Sequence, residues 1–465
     1  MSAPAREPVS VAPDVTTPVP PAAVPAPTAP ALPVRRSGRW FDHWDPEDPT
    51  FWRGGGRAIA RRNLAVSVGA EFLGFCVWAL WSVVVPLLPA AGFDLTLDQQ
   101  FWLIAVPSLV GATVRIPYTF AVPLFGGRNW TVISALLLLI PSSALAWVVT
   151  QPSAPFGLLL TCAALAGFGG GNFASSMTNI SFFFPEAEKG KALGLNAAGG
   201  NLGTGVVQLV VPAVIAVGAG THLERAGLMF VPLVLLAAVT AWRGMDNLSG
   251  VRSDYGSFAR AARNRHTWVI SFLYIGTFGS FIGYSGAFPT LLKTQYPQTP
   301  TTLAFVGALI GALSRPVGGM VADRWGGARV AIGSFAVLAM GAVGAVVGLR
   351  THSFTTFFGS FLVLFLGAGV GNGATYRMIP AVFRAGVSPE RLPTARKTAA
   401  GCIGIAGAVG AYGGFLIPRG FAMAKATYGS LVPALWVFVA AYVLMAATTY
   451  AVYARKGSAL AAETI

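Results

Sequence analysis

The stretches "GATVRIPYTFAVPLFGGRN", residues 111–129, and "GALSRPVGGMVADRWGGAR", residues 311–329, lie 200 positions apart in register. Gly111, Ala112, Arg115, Gly126 and Gly127 align with Gly311, Ala312, Arg315, Gly326 and Gly327. Both stretches stand inside long apolar runs. A guanidinium in such a run is costly unless it is solvated, paired or given an anion to hold. The same arginine buried twice points to two copies of one structural unit that share one task.

The surrounding composition sets the solvent. The chain has 465 residues, 54% of them hydrophobic and only 11% charged, which is more apolar sequence than a soluble core requires. A spanning helix needs about 20 apolar residues. Runs of that kind occur near 64–89, 101–125, 130–150, 156–184, 192–217, 227–242, 267–293, 301–322, 328–349, 355–383, 398–418 and 430–454. The repeat also extends beyond the arginines, because "GFGGGN" at 167–172 and "GAGVGN" at 367–372 keep the same 200-residue offset and align Asn172 with Asn372.

These observations predict an all-α integral membrane protein of twelve transmembrane helices in two pseudo-symmetric six-helix halves, residues 44–242 and 267–455, joined by a linker at 243–266. Repeats of this kind characterise secondary transporters, with the substrate site near midplane between the halves. Each half would then contribute one arginine to a shared site. Residues 1–43 read as a disordered arm, since ten prolines fall in the first 34 residues, and 456–465 read as a short tail. The segment "WDPEDPTFWRGGGRAIARRNL" alternates aromatic and basic residues and fits a helix lying on the membrane face.

A net charge of +15 raises the question of nucleic acid, and the placement of the basic residues answers it. Arg53, Arg57, Arg61 and Arg62 precede the first span, Arg252, Arg260, Arg263 and Arg265 lie between spans six and seven, and Arg384, Arg391, Arg396 and Lys397 lie between ten and eleven. Intervening loops such as "FDLTLDQQ" and "TQPSAPFG" have no Lys or Arg. The bias follows the membrane, so the expected partner is the bilayer and not nucleic acid, with both termini cytoplasmic. Cys76, Cys162 and Cys402 fall in separate spans and read as small packing residues, and the histidines form no cluster, so no metal and no cofactor is expected. No phosphate-binding G-x-x-x-x-G-K-[ST] loop and no acid–base set is present, which argues against a primary pump and against an enzyme. The single chain is expected to work as a monomer.

"GGMVADRWGGAR" and the twelve spans resemble the major facilitator superfamily, whose loops between the second and third helix of a half carry a Gly-x-x-x-Asp-Arg-x-Gly-Gly-x-Arg pattern. Gly319, Asp323, Arg324, Gly326, Gly327 and Arg329 supply it, whereas the first half has Pro123 and Leu124 in place of Asp and Arg. Within that superfamily, "GGGNFASSMTNISFFFPEAEKGKALGLNAAGGNLG" at 169–203, "RIPY" at 115–118, "LYIGTFGSFIGYSGAF" from Leu273 and the glycine-rich eleventh span resemble the nitrate/nitrite porter family over roughly residues 44–455. The resemblance implies secondary transport of nitrate, with nitrite as a second substrate. It also implies that Arg115 and Arg315 grip the anion, that Phe173 and Tyr274 cover its faces, and that Asn201 lies nearby. The chemistry fits, because guanidinium is a planar, permanently charged donor fork and nitrate a planar monoanion with three equivalent oxygens. A non-transporting nitrate sensor is the competing reading from another class.

Three further groups stand out in the sequence. Gly404, Gly407 and Gly410 recur every third residue, and Gly194, Gly200 and Gly203 partly repeat that period, which suits close helix packing, conformational switching or both. Asn172 and Asn372 read as interhelical hydrogen-bond partners. Glu71 lies about eight residues inside the first span, where desolvation favours the neutral acid and lets it take up and release a proton unless a cation holds it ionised. Arg377, late in span ten and so at a similar depth, is the expected cation. A Glu71–Arg377 pair would either close an inner gate or couple transport to protons, so proton symport is expected over nitrate/nitrite exchange.

Overall fold

The computed structural model describes residues 35–218, 220–251 and 255–455, and these residues are almost wholly helical. The proline-rich stretch up to residue 34, Arg252 and the tail at 456–465 lie outside the described residues. Among the described residues, twelve helices are long and apolar enough to span a membrane: α1 Pro49–Leu87, α2 Leu97–Phe125, α3 Gly127–Val148, α4 Phe156–Phe183, α5 Glu186–Ile215, α6 Arg225–Gly244, α7 Arg265–Gln295, α8 Thr301–Trp325, α9 Gly327–Arg350, α10 Phe354–Arg384, α11 Pro389–Tyr428 and α12 Val432–Ala454. Large apolar side chains such as Leu236, Met340 and Val437 are more than half exposed on the outside of the bundle. In water such a surface would drive association; against lipid tails it is matched to its solvent.

The aligned arginine stretches form the aligned helices α2 and α8. Each ends at a glycine with a left-handed backbone, Gly126 at φ 85° and Gly326 at φ 88°, a conformation that a side chain disfavours. Each helix also crosses a partner of its own half over bare backbone. A Cβ on Gly170 would lie 3.0 Å from the Cα of Gly111, and one on Gly311 would lie 2.6 Å from the Phe281 ring and 3.3 Å from the Phe365 carbonyl. The close crossings of α2 with α4 and of α8 with α10 set the depth at which Arg115 and Arg315 emerge, one turn further along.

The halves meet through α2 against α11, α5 against α8, and the far part of α7 against α1. On the face opposite the basic loops this contact is sealed by Arg419 of α11, which pairs with Asp98 of α2 at 2.9 Å and lies 4.2 Å from the Trp102 ring. Gln208 of α5 adds a hydrogen bond of 2.6 Å to the Ser285 carbonyl of α7.

One expectation about the segment before α1 is corrected. Residues 35–43 are not part of a disordered arm: β1 (Arg35–Arg36) pairs antiparallel with β2 (Trp40–Phe41), and β2 pairs in parallel with β3 (Asn247–Leu248) in the linker. The aromatic segment that follows packs against the first half. Phe51 and Trp52 are buried in the first half, a π-helical turn at Trp52–Gly56 runs into the rest of α1, and the Trp44 indole donates to the Phe183 carbonyl at 3.3 Å. Aromatic side chains with that much apolar area pack against protein wherever a face is available.

The same linker region packs on the loop of the first half, where Pro123 and Leu124 replace Asp and Arg. Asn247 accepts from the backbone N–H groups of Arg128 at 2.9 Å and Asn129 at 3.3 Å, so a linker side chain caps α3. Asp246 beside it is buried and pairs with Arg39 at 3.1 Å and with Arg62.

Candidate functional site

Arg115 and Arg315 come together in one buried layer, 1% and 6% exposed, although they belong to different halves. Arg115 gives Nε to the Gly170 carbonyl at 3.0 Å and Nη1 to the Gly407 carbonyl of the other half at 2.6 Å. Arg315 gives Nη2 to the Tyr274 hydroxyl at 3.2 Å. Nη2 of Arg115 and Nη1 of Arg315 are buried with no partner in the protein.

Aromatic rings hold both cations. The Cζ of Arg115 lies 4.8 Å from the Phe173 ring, 4.9 Å from Phe278 and 5.3 Å from Trp78. The Cζ of Arg315 lies 5.7 Å from Phe173, 6.0 Å from Phe278 and 5.6 Å from Tyr376. Ring faces offset part of the cost of desolvating a guanidinium, about 2 kcal/mol per contact at a dry site. Phe173 and Phe278 stack on each other at 6.0 Å. The ring stacked on Phe173 is thus that of Phe278, while the Tyr274 hydroxyl accepts from Arg315.

Residues Ile275–Gly279 form a π-helical turn in α7, and the rings of Tyr274 and Phe278 on either side of its start stack at 5.4 Å. At this level α7 and α11 cross closely, for a Cβ on Gly279 would lie 2.7 Å from the Gly410 carbonyl and 2.8 Å from the Gly413 Cα.

Glu71 is also buried, but it is not paired with Arg377. Its Oε2 accepts from Asn196 at 2.6 Å and from the Ser176 hydroxyl, while Oε1 has no partner. Arg115 and Arg315 both act on it electrostatically. Arg377 turns the other way, to the protein surface, and pairs with Asp323 of the α8 loop motif, with both side chains about half exposed. The reason is that α8 and α10 pack along their length within one half, whereas Glu71 lies across the cavity in α1. An exposed pair between neighbouring helices avoids the desolvation that a buried Arg377 would incur. Arg324 and Arg329 of the same motif are exposed.

The remaining expected residues divide. Asn201 is buried with both polar atoms of its amide unpaired, so no hydrogen bond joins it to either arginine. Asn172 lies at the α1–α4 crossing, its Nδ2 2.8 Å from where a Cβ on Gly74 would be. Its Oδ1 and that of Asn372 are buried without partners. Among the glycines, a Cβ on Gly200 would strike the Glu71 carboxylate, one on Gly203 the Phe72 carbonyl, and one on Gly410 the Tyr274 ring. Gly404 and Gly407 meet nothing closer than 3.7 and 3.9 Å, and Gly194 faces open space. The stripe is thus tight packing at some positions and clearance at others. Cys76, Cys162 and Cys402 are buried and free.

Sequence reading missed Trp78, Phe278, Tyr376, Ser176 and Asn196. Phe278 and Trp78 stand four and seven residues after Tyr274 and Glu71, on the same helix faces, and that spacing was the available signal.

Two guanidinium charges and one carboxylate leave a single net positive charge when Glu71 is ionised, enclosed by rings and carrying uncommitted donors. Buried donors without acceptors call for a ligand. An anion with one charge and several acceptor oxygens would satisfy both.

Residues 71–411 match the Major Facilitator Superfamily. The chain is 42% identical over 442 residues to the nitrate/nitrite transporter NarU of Escherichia coli (strain K12), covering 89% of this chain and 96% of that one. It is 35% identical over 448 residues to the probable nitrate/nitrite antiporter NarK2 of Thermus thermophilus, covering 90% and 98%. Among solved structures, that of a D-xylose-proton symporter matches 84% of this chain and 97% of its own with a TM-score of 0.65 at 15% identity, a likeness of fold alone.

Proposed function

The chain belongs to the Major Facilitator Superfamily and, within it, to the nitrate/nitrite porters, and from that premise we propose that it is a secondary transporter that moves nitrate across the bacterial cytoplasmic membrane by alternating access. The observation that carries the reading is the pair of buried guanidiniums, one from each half, each with an uncommitted N–H in one aromatic layer. Nitrate is flat, singly charged and weakly hydrated. It can accept from both forks in its plane and lie against Phe173 and Phe278 with its faces. Because the arginines belong to different halves, a bound anion draws the halves together about itself, which is how an occluded state forms around substrate. Nitrite shares the charge and the plane and is the second substrate. One chain supplies both arginines, so the site needs no second copy.

We further propose nitrate/proton symport through Glu71, on a revised arrangement in which its partners are the arginine pair and not Arg377. With Glu71 ionised, the empty site carries two positive charges and one negative. With nitrate bound and Glu71 protonated, it again carries two positive and one negative. The two forms that must reorient then present the same charge to the membrane, and binding an anion beside a carboxylate favours uptake of a proton. An exchanger needs no such acid.

Counterflow of labelled nitrate in proteoliposomes, with pH and nitrite set independently on each side, tests both proposals. Nitrate flux that is concentrative under an inward proton gradient, without internal nitrite, is the expected result. Flux that requires nitrite on the opposite side would indicate exchange, and binding without flux would indicate a sensor.

A further inference from the structure

Five aromatic side chains touch the two guanidiniums: Trp78, Phe173, Tyr274, Phe278 and Tyr376. Only three of them can donate a hydrogen bond. The Trp78 indole is committed to the Pro107 carbonyl at 2.8 Å. The Tyr274 oxygen already accepts from Arg315, so whatever it donates to lies on Arg315's side of the site. Tyr376 differs from both. Its ring lies 5.6 Å from the Arg315 Cζ, its hydroxyl is buried, and that hydroxyl has no partner in the protein. It is carried by α10, and it lies within electrostatic reach of Tyr274, Arg315 and Glu71.

A buried phenol without a partner costs free energy that a phenylalanine at the same place would not. Phenylalanine would serve equally for stacking on Arg315, so the hydroxyl needs an acceptor that arrives with the ligand. Each arginine leaves one terminal nitrogen without a partner, and the two nitrogens can each take an oxygen of a small anion. We propose that the Tyr376 hydroxyl is the donor to a third oxygen, and that it thereby distinguishes nitrate, which has three, from nitrite, which has two. Nitrite would present a nitrogen lone pair or empty space at that point, a poorer acceptor than an anionic oxygen. The inference rests on the reading of this site as a nitrate site and names the group that sets its selectivity. A site built to hydrogen-bond a substrate atom rejects the analogue that lacks it, because its own donor is then left unpaired.

Tyr376→Phe removes the oxygen and keeps the ring over Arg315. Equilibrium dissociation constants for nitrate and nitrite are measured on purified wild-type and variant protein by calorimetry. The expected result is a nitrate Kd raised about tenfold in Tyr376→Phe, the scale of one neutral donor to a charged acceptor, with the nitrite Kd within about twofold of wild type. Equal weakening for both anions, or no change for either, overturns the proposal, and the latter would mean that the hydroxyl serves only a bound water. Should the variant not purify folded, the wild type alone decides: a preference of roughly fivefold or more for nitrate supports a third-oxygen donor, and equal affinities overturn it. Wild-type protein that binds neither anion would instead refute the nitrate reading itself.

Discussion

Arg115 Nη1 donates to the carbonyl oxygen of Gly407 at 2.6 Å, across 292 positions of sequence and across the boundary between the two halves. The same guanidinium holds Gly170 of its own half, so a single side chain ties α4 to α11 at the level of the site. Any motion that parts the halves here must break the Gly407 contact. Substrate and conformation therefore act on one group, and the backbone carbonyl is available because a glycine leaves it uncovered.

Lysine at either arginine keeps the charge and loses the fork. Arg115→Lys and Arg315→Lys each forgo at least two charge-assisted hydrogen bonds, together about 3 kcal/mol, so nitrate transport is expected to fall roughly a hundredfold or more at low substrate. Uptake into proteoliposomes, with gel filtration to confirm that the variants are folded, checks this. Near-normal nitrate affinity in either variant would remove the paired-clamp account.

Glu71→Gln retains a hydrogen-bond acceptor for Ser176 and Asn196 and cannot ionise. Exchange of nitrate for nitrate is expected to survive within a few-fold, while accumulation driven by a pH gradient alone is lost. The comparison needs only labelled nitrate and a pH jump. If Glu71→Gln still concentrates nitrate under that gradient, the coupling acid lies elsewhere.

The glycines of α11 should separate by function. A methyl on Gly410 would strike the Tyr274 ring and so disturb Arg315, whereas one on Gly407 would meet only Phe173 at 3.9 Å. Gly410→Ala is expected to weaken nitrate binding about tenfold, on the order of 1.4 kcal/mol. Gly407→Ala should leave the dissociation constant near wild type, and a drop in turnover without a change in affinity would identify it as a switching position. The reverse order of affinities would contradict the packing described for this helix.

The Asp98–Arg419 pair closes the face opposite the basic loops. It is partly exposed, 44% and 15% by side chain, so its worth is at most about 1 kcal/mol and its loss should shift the balance of open and closed states about fivefold. Spin labels placed on the outer ends of α1 and α7 would report a larger fraction of long distances in Asp98→Asn, and the double charge swap of Asp98 and Arg419 should restore the wild-type distribution. Identical distributions in all three proteins would show that the pair is no latch.

Anion selectivity follows from desolvation. Neutral aromatic walls and few polar partners favour a weakly hydrated monoanion, so nitrite should displace nitrate far better than sulfate or phosphate, whose second charge and tighter hydration make entry costly. Equal competition by sulfate would sink this argument.

Read alone, the sequence determined the twelve spans, the two halves and the two arginines of the site, because apolar run length and a 200-residue register are properties of the chain itself and need no knowledge of which helix faces which. What touches those arginines was only partly legible. The resemblance points to Phe173 and Tyr274, yet the ring stacked on Phe173 is Phe278, and which of two aromatic residues four apart meets Phe173 depends on how α7 is rotated against α4. Arg377 was assigned to Glu71 from depth alone. Depth is shared by many residues, and only the packing of α8 on α10 decides that Asp323 is the neighbour. Likewise, nothing in Trp40 and Phe41 foretells pairing with Asn247 and Leu248, some 207 residues away. Hydropathy and periodicity act along the chain and survive in one dimension; hydrogen-bond partners depend on the crossing and rotation of whole helices, which close glycine contacts fix only once the bundle has formed.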